Sequence, residues 1–144
     1  MSDILTPSLV KVPGTATGKD DAIREAGQLL VDAGAVKPEY VDAMFEREKS
    51  VSTYMGNYLA IPHGTNESKD EILRSALSVV RYDQPIDWDG NEVRFAVGVA
   101  GVEGGHLEIL GKIALIFSDS DEVERLLAAG SAEELHRLLH AVND

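Results

Sequence analysis

Three short runs, Tyr58 to Ile61, Ala76 to Tyr82 and Val93 to Ala100, are apolar and rich in β-branched or aromatic residues, the pattern of buried strands. Strands of that kind cannot stand alone, because other elements have to cover them. Asp89-Gly90-Asn91 supplies a turn between the last two runs. The covering elements read as amphipathic helices. From Asp20 to Ala33 the residues Ala22, Ile23, Ala26, Leu29, Leu30 and Ala33 recur at spacings of three and four, with Gly34 placed to cap the C-terminus. A second helix begins with Pro38 in its first turn and buries Tyr40, Val41, Met44 and Phe45. It ends near Arg47-Glu48-Lys49, where cations suit the negative end of the dipole. After the third run, Gly104-Gly105 opens a helix through Leu107, Leu110, Ile113, Ala114 and Phe117. A shorter one carries Val123, Leu126 and Leu127 and closes at Gly130. Ser131-Ala132-Glu133-Glu134 is a capping-box pattern for a last helix reaching about Val142. Ser8 to Val12 reads as extended and Pro13 to Lys19 as a loop. Strands interleaved with helices predict an α/β or α+β fold. With no internal repeat and no linker rich in Pro and Gly, residues 1–144 read as a single domain.

Charge and composition narrow the function. Thirteen basic against twenty-five acidic residues leave a net charge of −12, which repels nucleic acid and anionic headgroups and points to a protein or small-molecule partner. There is no cysteine, so covalent catalysis through sulfur and thiolate metal sites are excluded. No run approaches eighteen apolar residues, and the N-terminal stretch Met1 to Pro7 lacks a basic region followed by an apolar one, so the cytoplasm is the expected location.

Two apparent motifs dissolve on inspection. Gly14-Thr15-Ala16-Thr17-Gly18-Lys19-Asp20 lies where a nucleotide-binding loop would sit, but only three residues separate its glycines. Asp20 also replaces the hydroxyl that would hold magnesium, so a loop leading into a helix N-cap is the better reading. His136 and His140 have the spacing of two metal ligands, yet Arg137-Leu138-Leu139 between them lacks the Glu of a zinc-protease helix. They flank the inward leucine stripe, where histidines near a helix C-terminus sit comfortably.

His63 is different. It follows the first apolar run after Pro62, which stops the ladder, and precedes Gly64, which bends freely. A histidine at a strand end is by itself more often structural than catalytic. A neutral imidazole, with an unperturbed pKa of about 6.5, is nevertheless a competent nucleophile when one ring nitrogen is held and the other is open. The bend at Pro62-His63-Gly64 makes backbone carbonyls available to hold Nδ1, and Thr65 adds a hydroxyl. His106, after Gly104-Gly105, stands at a helix N-terminus, where backbone N–H groups suit a phosphate; a capping role is the plain alternative. Arg47 is the third candidate, with a surface ion pair as its plain alternative. Two histidines, an arginine and Gly-rich turns describe an acceptor for a phosphoryl group. Without a nucleotide loop or an acidic magnesium cluster, that group must arrive already activated on another molecule. A metal hydrolase using His63 and His106 is a distant alternative.

Leu59-Ala60-Ile61-Pro62-His63-Gly64-Thr65 resembles the phosphorylation-site signature of enzyme IIA components of the bacterial sugar phosphotransferase system, in the mannitol and fructose family. Pro38-Glu39-Tyr40-Val41-Asp42-Ala43-Met44 with Glu46-Arg47-Glu48-Lys49 resembles the preceding helix of the mannitol branch, and Gly105-His106-Leu107-Glu108-Ile109-Leu110 its second active-site segment. The resemblance spans nearly the whole chain and implies a mixed β-sheet flanked by helices. It implies that His63 accepts phosphate on Nε2 from the carrier HPr and passes it to a cysteine of enzyme IIB, linked in turn to the membrane component IIC. His106 and Arg47 would assist and Gly64 and Thr65 would border the phosphate, with no cofactor and no metal. The same resemblance admits a nitrogen-type regulatory relative, whose phosphorylation state governs protein binding. One departure is Asn57, where mannitol-type relatives often carry Glu; a carboxylate lost near the phosphate would reduce repulsion.

Overall fold

Residues 76–100 form the centre of the structure, because a hairpin whose strands are buried on both faces needs cover on both. The computed structural model describes residues 3–102 and 105–143; Met1, Ser2 and Gly104, which entered the sequence reading, lie outside the described residues. Five strands, β1 (Val10–Lys11), β2 (Tyr54–Gly56), β3 (Leu59–Ala60), β4 (Ala76–Trp88) and β5 (Asn91–Ala100), make one mixed sheet in the order β1-β4-β5-β3-β2. The β4–β5 and β2–β3 pairs are antiparallel, and the β1–β4 and β3–β5 pairs parallel. The helices are α1 (Lys19–Asp32), α2 (Glu39–Ser50), α3 (His106–Phe117), α4 (Ser120–Ala128) and α5 (Ala132–Leu138). On one sheet face the Ser78 hydroxyl donates to the Ala26 carbonyl of α1. On the other, Phe95 meets Phe117 of α3 edge to face, and the buried Arg81 guanidinium donates to the Leu126, Leu127 and Ala129 carbonyls at the end of α4. That double cover is why β4 and β5 read as continuous apolar runs.

Several boundaries differ from the sequence expectation for identifiable reasons. Pro7–Leu9 form a 3-10 turn, which shortens the extended segment Ser8 to Val12 to β1. β4 passes Tyr82 and continues to Trp88; a register shift between Arg81 and Ile86 accommodates Pro85 within the strand. The run Tyr58 to Ile61 contracts to β3, since Asn57 and Tyr58 take φ of 49° and 69° in the tight turn from β2, a strand too short to show in the sequence. Helix α2 starts at Glu39 with Pro38 at its N-cap, and α5 ends at Leu138 before a 3-10 turn over His140–Asn143. The caps follow the local chemistry. Gly34 donates to the Val31 carbonyl and Ala35 to that of Leu30, closing α1 in a Schellman arrangement. Ser131 Oγ accepts from the Glu134 amide, while the Glu134 carboxylate reaches back to the Gly130 amide. In the Pro13 to Lys19 loop a carboxylate takes the place a nucleotide phosphate would need. Glu25 accepts from the Thr15 amide and hydroxyl, the Ala16 amide, Tyr82 Oη and Lys11 Nζ.

Candidate functional site

The ends of β3, β5 and α2 and the start of α3 converge at His63. Leaving β3, the chain runs beside β5: the Val99 amide donates to the Pro62 carbonyl at 3.0 Å, and His63 itself bridges Val99 in parallel register. This parallel docking holds the loop against the rigid centre of the sheet. The half-buried His63 ring then folds back on its own backbone, donating Nδ1–H to the Ile61 carbonyl at 2.8 Å. With the proton fixed on Nδ1, the lone pair belongs to Nε2, which makes no hydrogen bond among the described residues. Burial holds the His63 pKa below the ordinary 6.5; the Ile61 carbonyl opposes this, while Arg47 and His106 add to it. The ring is therefore neutral near pH 7.

His106 is the first residue of α3, and its ring stacks on that of His63 with centroids 6.4 Å apart and planes 27° from parallel. The contact depends on how closely β5 approaches α3: a Cβ on Gly101 would collide with the His106 backbone nitrogen. Arg47 lies in the last turn of α2, donates from its guanidinium to the Val51 carbonyl at 2.8 Å, and lines one groove with both histidines. The structure thus brings His63, His106, Arg47 and Gly64 to one groove, and Thr65 to an adjoining cleft that also contains His63 and His106.

Gly64 has a different part from the one its position implies. Its amide donates to Tyr40 Oη at 2.9 Å, so that donor is already engaged. A Cβ there would run into the Tyr40 ring and Ser68 Oγ. Tyr40, from α2, also donates to the Val99 carbonyl at 2.8 Å, and burial raises its pKa to about 12, so it stays a neutral hydroxyl under the loop. The Thr65 carbonyl accepts from the Ser68 hydroxyl and amide, starting the 3-10 turn Asn66–Glu71. Lys69 in that turn lines the cleft too. Tyr40 reads in the sequence as an inward-facing residue of the second helix, and Lys69 is not singled out there; neither carries a local signal.

Two other readings resolve elsewhere. His136 contributes Nε2 to the Leu5 carbonyl at 3.1 Å and packs edge to face on His140, far along the chain from His63 and tied to the N-terminal segment. Asn57 is not beside the phosphate position: its amide donates to the Phe117 carbonyl at 2.7 Å, the C-terminal end of α3. His106 is at the opposite end, about 16 Å away along the twelve-residue helix axis. A charge change at Asn57 therefore bears on the packing of α3, and the expectation of relieved repulsion is corrected.

The surroundings of the groove are apolar and open. Val51 is 65% exposed, Met55 51% and Leu107 68%, and Met55, Leu107 and Leu110 line the groove itself. Isolated exposed apolar residues are commonplace, but here Met55, Leu107 and Leu110 gather around His63 and His106.

Comparison with known proteins agrees with this geometry. A mannitol-specific phosphotransferase enzyme IIA component of Halalkalibacterium halodurans is 52% identical over 141 residues, covering 98% of this chain and 97% of that one. The fold superposes on the enzyme IIA of a complex between IIA and phosphorylated IIB of the mannitol system from Escherichia coli. That match has a TM-score of 0.89 and 32% identity, covering 95% of this chain and 97% of that one. The crystal structure of IIA mannitol from Escherichia coli matches with a TM-score of 0.86 and 33% identity over 94% and 98% of the two chains. The family model described as phosphoenolpyruvate-dependent sugar phosphotransferase system, EIIA 2, matches residues 3–142, and the chain belongs to that family.

Proposed function

We propose that this chain is a phosphocarrier that takes a phosphoryl group from phosphorylated HPr onto His63 Nε2 and passes it to enzyme IIB for the uptake of mannitol. The observation that carries the reading is the His63 ring, with Nδ1–H committed to the Ile61 carbonyl and Nε2 unbonded beside His106 and Arg47. The mannitol assignment is supported by the names of the relatives, and the cytoplasm is where such a relay between soluble carriers would run. Among the described residues no helix is long and apolar enough to cross a membrane.

Transfer is in line. Neutral His63 attacks phosphorus through the Nε2 lone pair as the bond to the donor imidazole breaks. The donor ring leaves neutral, and the His63 proton stays on Nδ1, where the Ile61 carbonyl accepting from it stabilises the positive ring. Arg47, His106 and the Thr65 hydroxyl meet the phosphoryl oxygens, and Gly64 contributes room rather than a donor, since its amide serves Tyr40. Discharge to a IIB cysteine is the same displacement with the thiolate as nucleophile and His63 as leaving group.

The His63→Ala protein incubated with phosphorylated HPr should carry no acid-labile phosphate. A normal yield from that variant would overturn the assignment. Offering the phosphorylated wild-type chain to mannitol and fructose IIB partners then identifies the sugar branch. Discharge to neither would favour the regulatory reading.

A further inference from the structure

Glu48 is a carboxylate only 7% exposed, next to Arg47 in sequence, and the transfer chemistry above leaves it unused. Its bonds lead toward His63 in an unbroken series. Oε1 accepts from Thr53 Oγ1 at 2.5 Å and Oε2 from the Thr53 amide at 3.0 Å. The Thr53 carbonyl accepts from the Ile61 amide at 3.1 Å. The Ile61 carbonyl accepts from His63 Nδ1 at 2.8 Å. Behind Glu48, Trp88 Nε1 donates to Oε2 at 3.1 Å and Lys19 Nζ lies 3.4 Å from it, fixing the carboxylate to the end of β4 and the start of α1.

We propose that Glu48 is a positioning residue for phosphoryl transfer: by anchoring the Thr53 backbone, which holds Ile61, it orients the carbonyl that accepts from His63 Nδ1–H. The physical basis is that a fully satisfied buried hydrogen-bond network rigidifies the groups it joins, and that a negative charge nearby favours positive charge on an imidazole. The carboxylate anchors the Thr53 amide and hydroxyl, so the Thr53 carbonyl is held where it meets Ile61 N–H, and the Ile61 carbonyl is in turn held where it meets Nδ1–H. When Nε2 binds phosphorus the ring turns positive, so the oriented Ile61 carbonyl and the Glu48 charge stabilise the phosphorylated product and the transition state more than the free ring. An aspartate touching an imidazole orients it in a hydrolase triad; here the backbone of two residues, Thr53 and Ile61, lies between carboxylate and ring. The charged and titratable groups around His63 fit this division: Arg47 and His106 oppose positive charge on the ring, Glu48 favours it, and Lys69 and the neutral Tyr40 hydroxyl border the cleft.

The inference rests on the phosphocarrier reading, and its test separates the two. Nitrogen-15 NMR of the unphosphorylated full-length chain reports the His63 tautomer and titration midpoint with no donor present. Rapid-quench transfer from phosphorylated HPr gives the rate constant and the KM separately. In Glu48→Gln, the Nε2-protonated tautomer should appear and the midpoint should fall. The maximal transfer rate should drop about tenfold with KM for HPr within about twofold, and Glu48→Asp should recover part of it. Leu126→Ala, in the α4 core, should lose melting temperature and leave the His63 tautomer alone. Thr53→Ala, which keeps the charge and the backbone bonds but deletes the hydroxyl anchor to Glu48 Oε1, should slow transfer about threefold and serves if Glu48→Gln does not fold. A Glu48→Gln protein, or failing it a Thr53→Ala protein, with wild-type tautomer and rate would overturn the proposal and reduce Glu48 to a structural anchor. Absence of phosphate transfer in the wild type itself would instead sink the phosphocarrier reading.

Discussion

A histidine can relay a phosphoryl group only if one ring nitrogen keeps its proton while the other stays bare, and His63 meets that condition through a bond to a carbonyl two residues upstream. Burial, with Arg47 and His106 nearby, keeps the ring neutral below its ordinary pKa of 6.5. The sign follows directly: the nucleophilic neutral form persists as pH falls through 6.5 and is lost only further down. Phosphate acceptance from HPr should thus be level between pH 7.5 and about 6.5 and decline below that, after correction for the donor's own titration. A midpoint above 6.5 in a His63-specific NMR titration would contradict it. At this scale the sequence was informative about His63 itself, because Pro62 and Gly64 leave few places for the ring to go. It was silent on Tyr40 and Glu48, whose importance comes from partners 24 residues or more away in one case and from burial in the other. No spacing rule links such residues to a strand end.

Helix α3 has one end in the site and the other tied to the sheet by a side chain that charge arguments alone misjudge. Asn57 sits at positive φ in the β2–β3 turn, a conformation Asn tolerates better than most residues, and its amide caps the Phe117 carbonyl. Asn57→Ala should lose both advantages, costing about 1–2 kcal/mol of stability in urea denaturation. Because His106 is at the far end of the helix, the rate of phosphate acceptance should change less than about twofold. A large rate loss with little destabilisation would place Asn57 in the chemistry after all. The helices were legible as elements because their apolar residues repeat at three and four and their ends carry caps such as Gly34 and Ser131. The short strands were not: Tyr54–Gly56 is three residues with no alternation to see, and Gln84-Pro85 disguises the second half of β4. Sheet order is likewise invisible locally, since β3 pairs with β5 across more than thirty residues.

For the whole molecule the decisive contrast is between an acidic body of net charge −12 and an apolar rim around His63. A carrier must meet a donor and an acceptor in turn with the same nucleophile, so both partners have to cover the same rim, and neither can be held so tightly that it fails to leave. On the phosphocarrier reading, the long-range field would bring a partner with complementary charge to the surface, and Met55, Leu107 and Leu110, which line the groove, would exclude water once it arrived. Leu107 is the best probe: it is 68% exposed, on the first turn of α3, and contributes little to the core. Leu107→Asp should therefore leave the melting temperature within about two degrees while weakening docking by about tenfold. The weakening should appear as a raised KM for HPr in the loading reaction and for IIB in the discharge reaction, with maximal rates little changed. Raising ionic strength should lower association rates for wild type and variant, somewhat more steeply for the variant, whose new carboxylate adds to the negative field. If Leu107→Asp impaired loading and spared discharge, donor and acceptor would be using separate faces, and a single shared docking rim would be the wrong description of this surface.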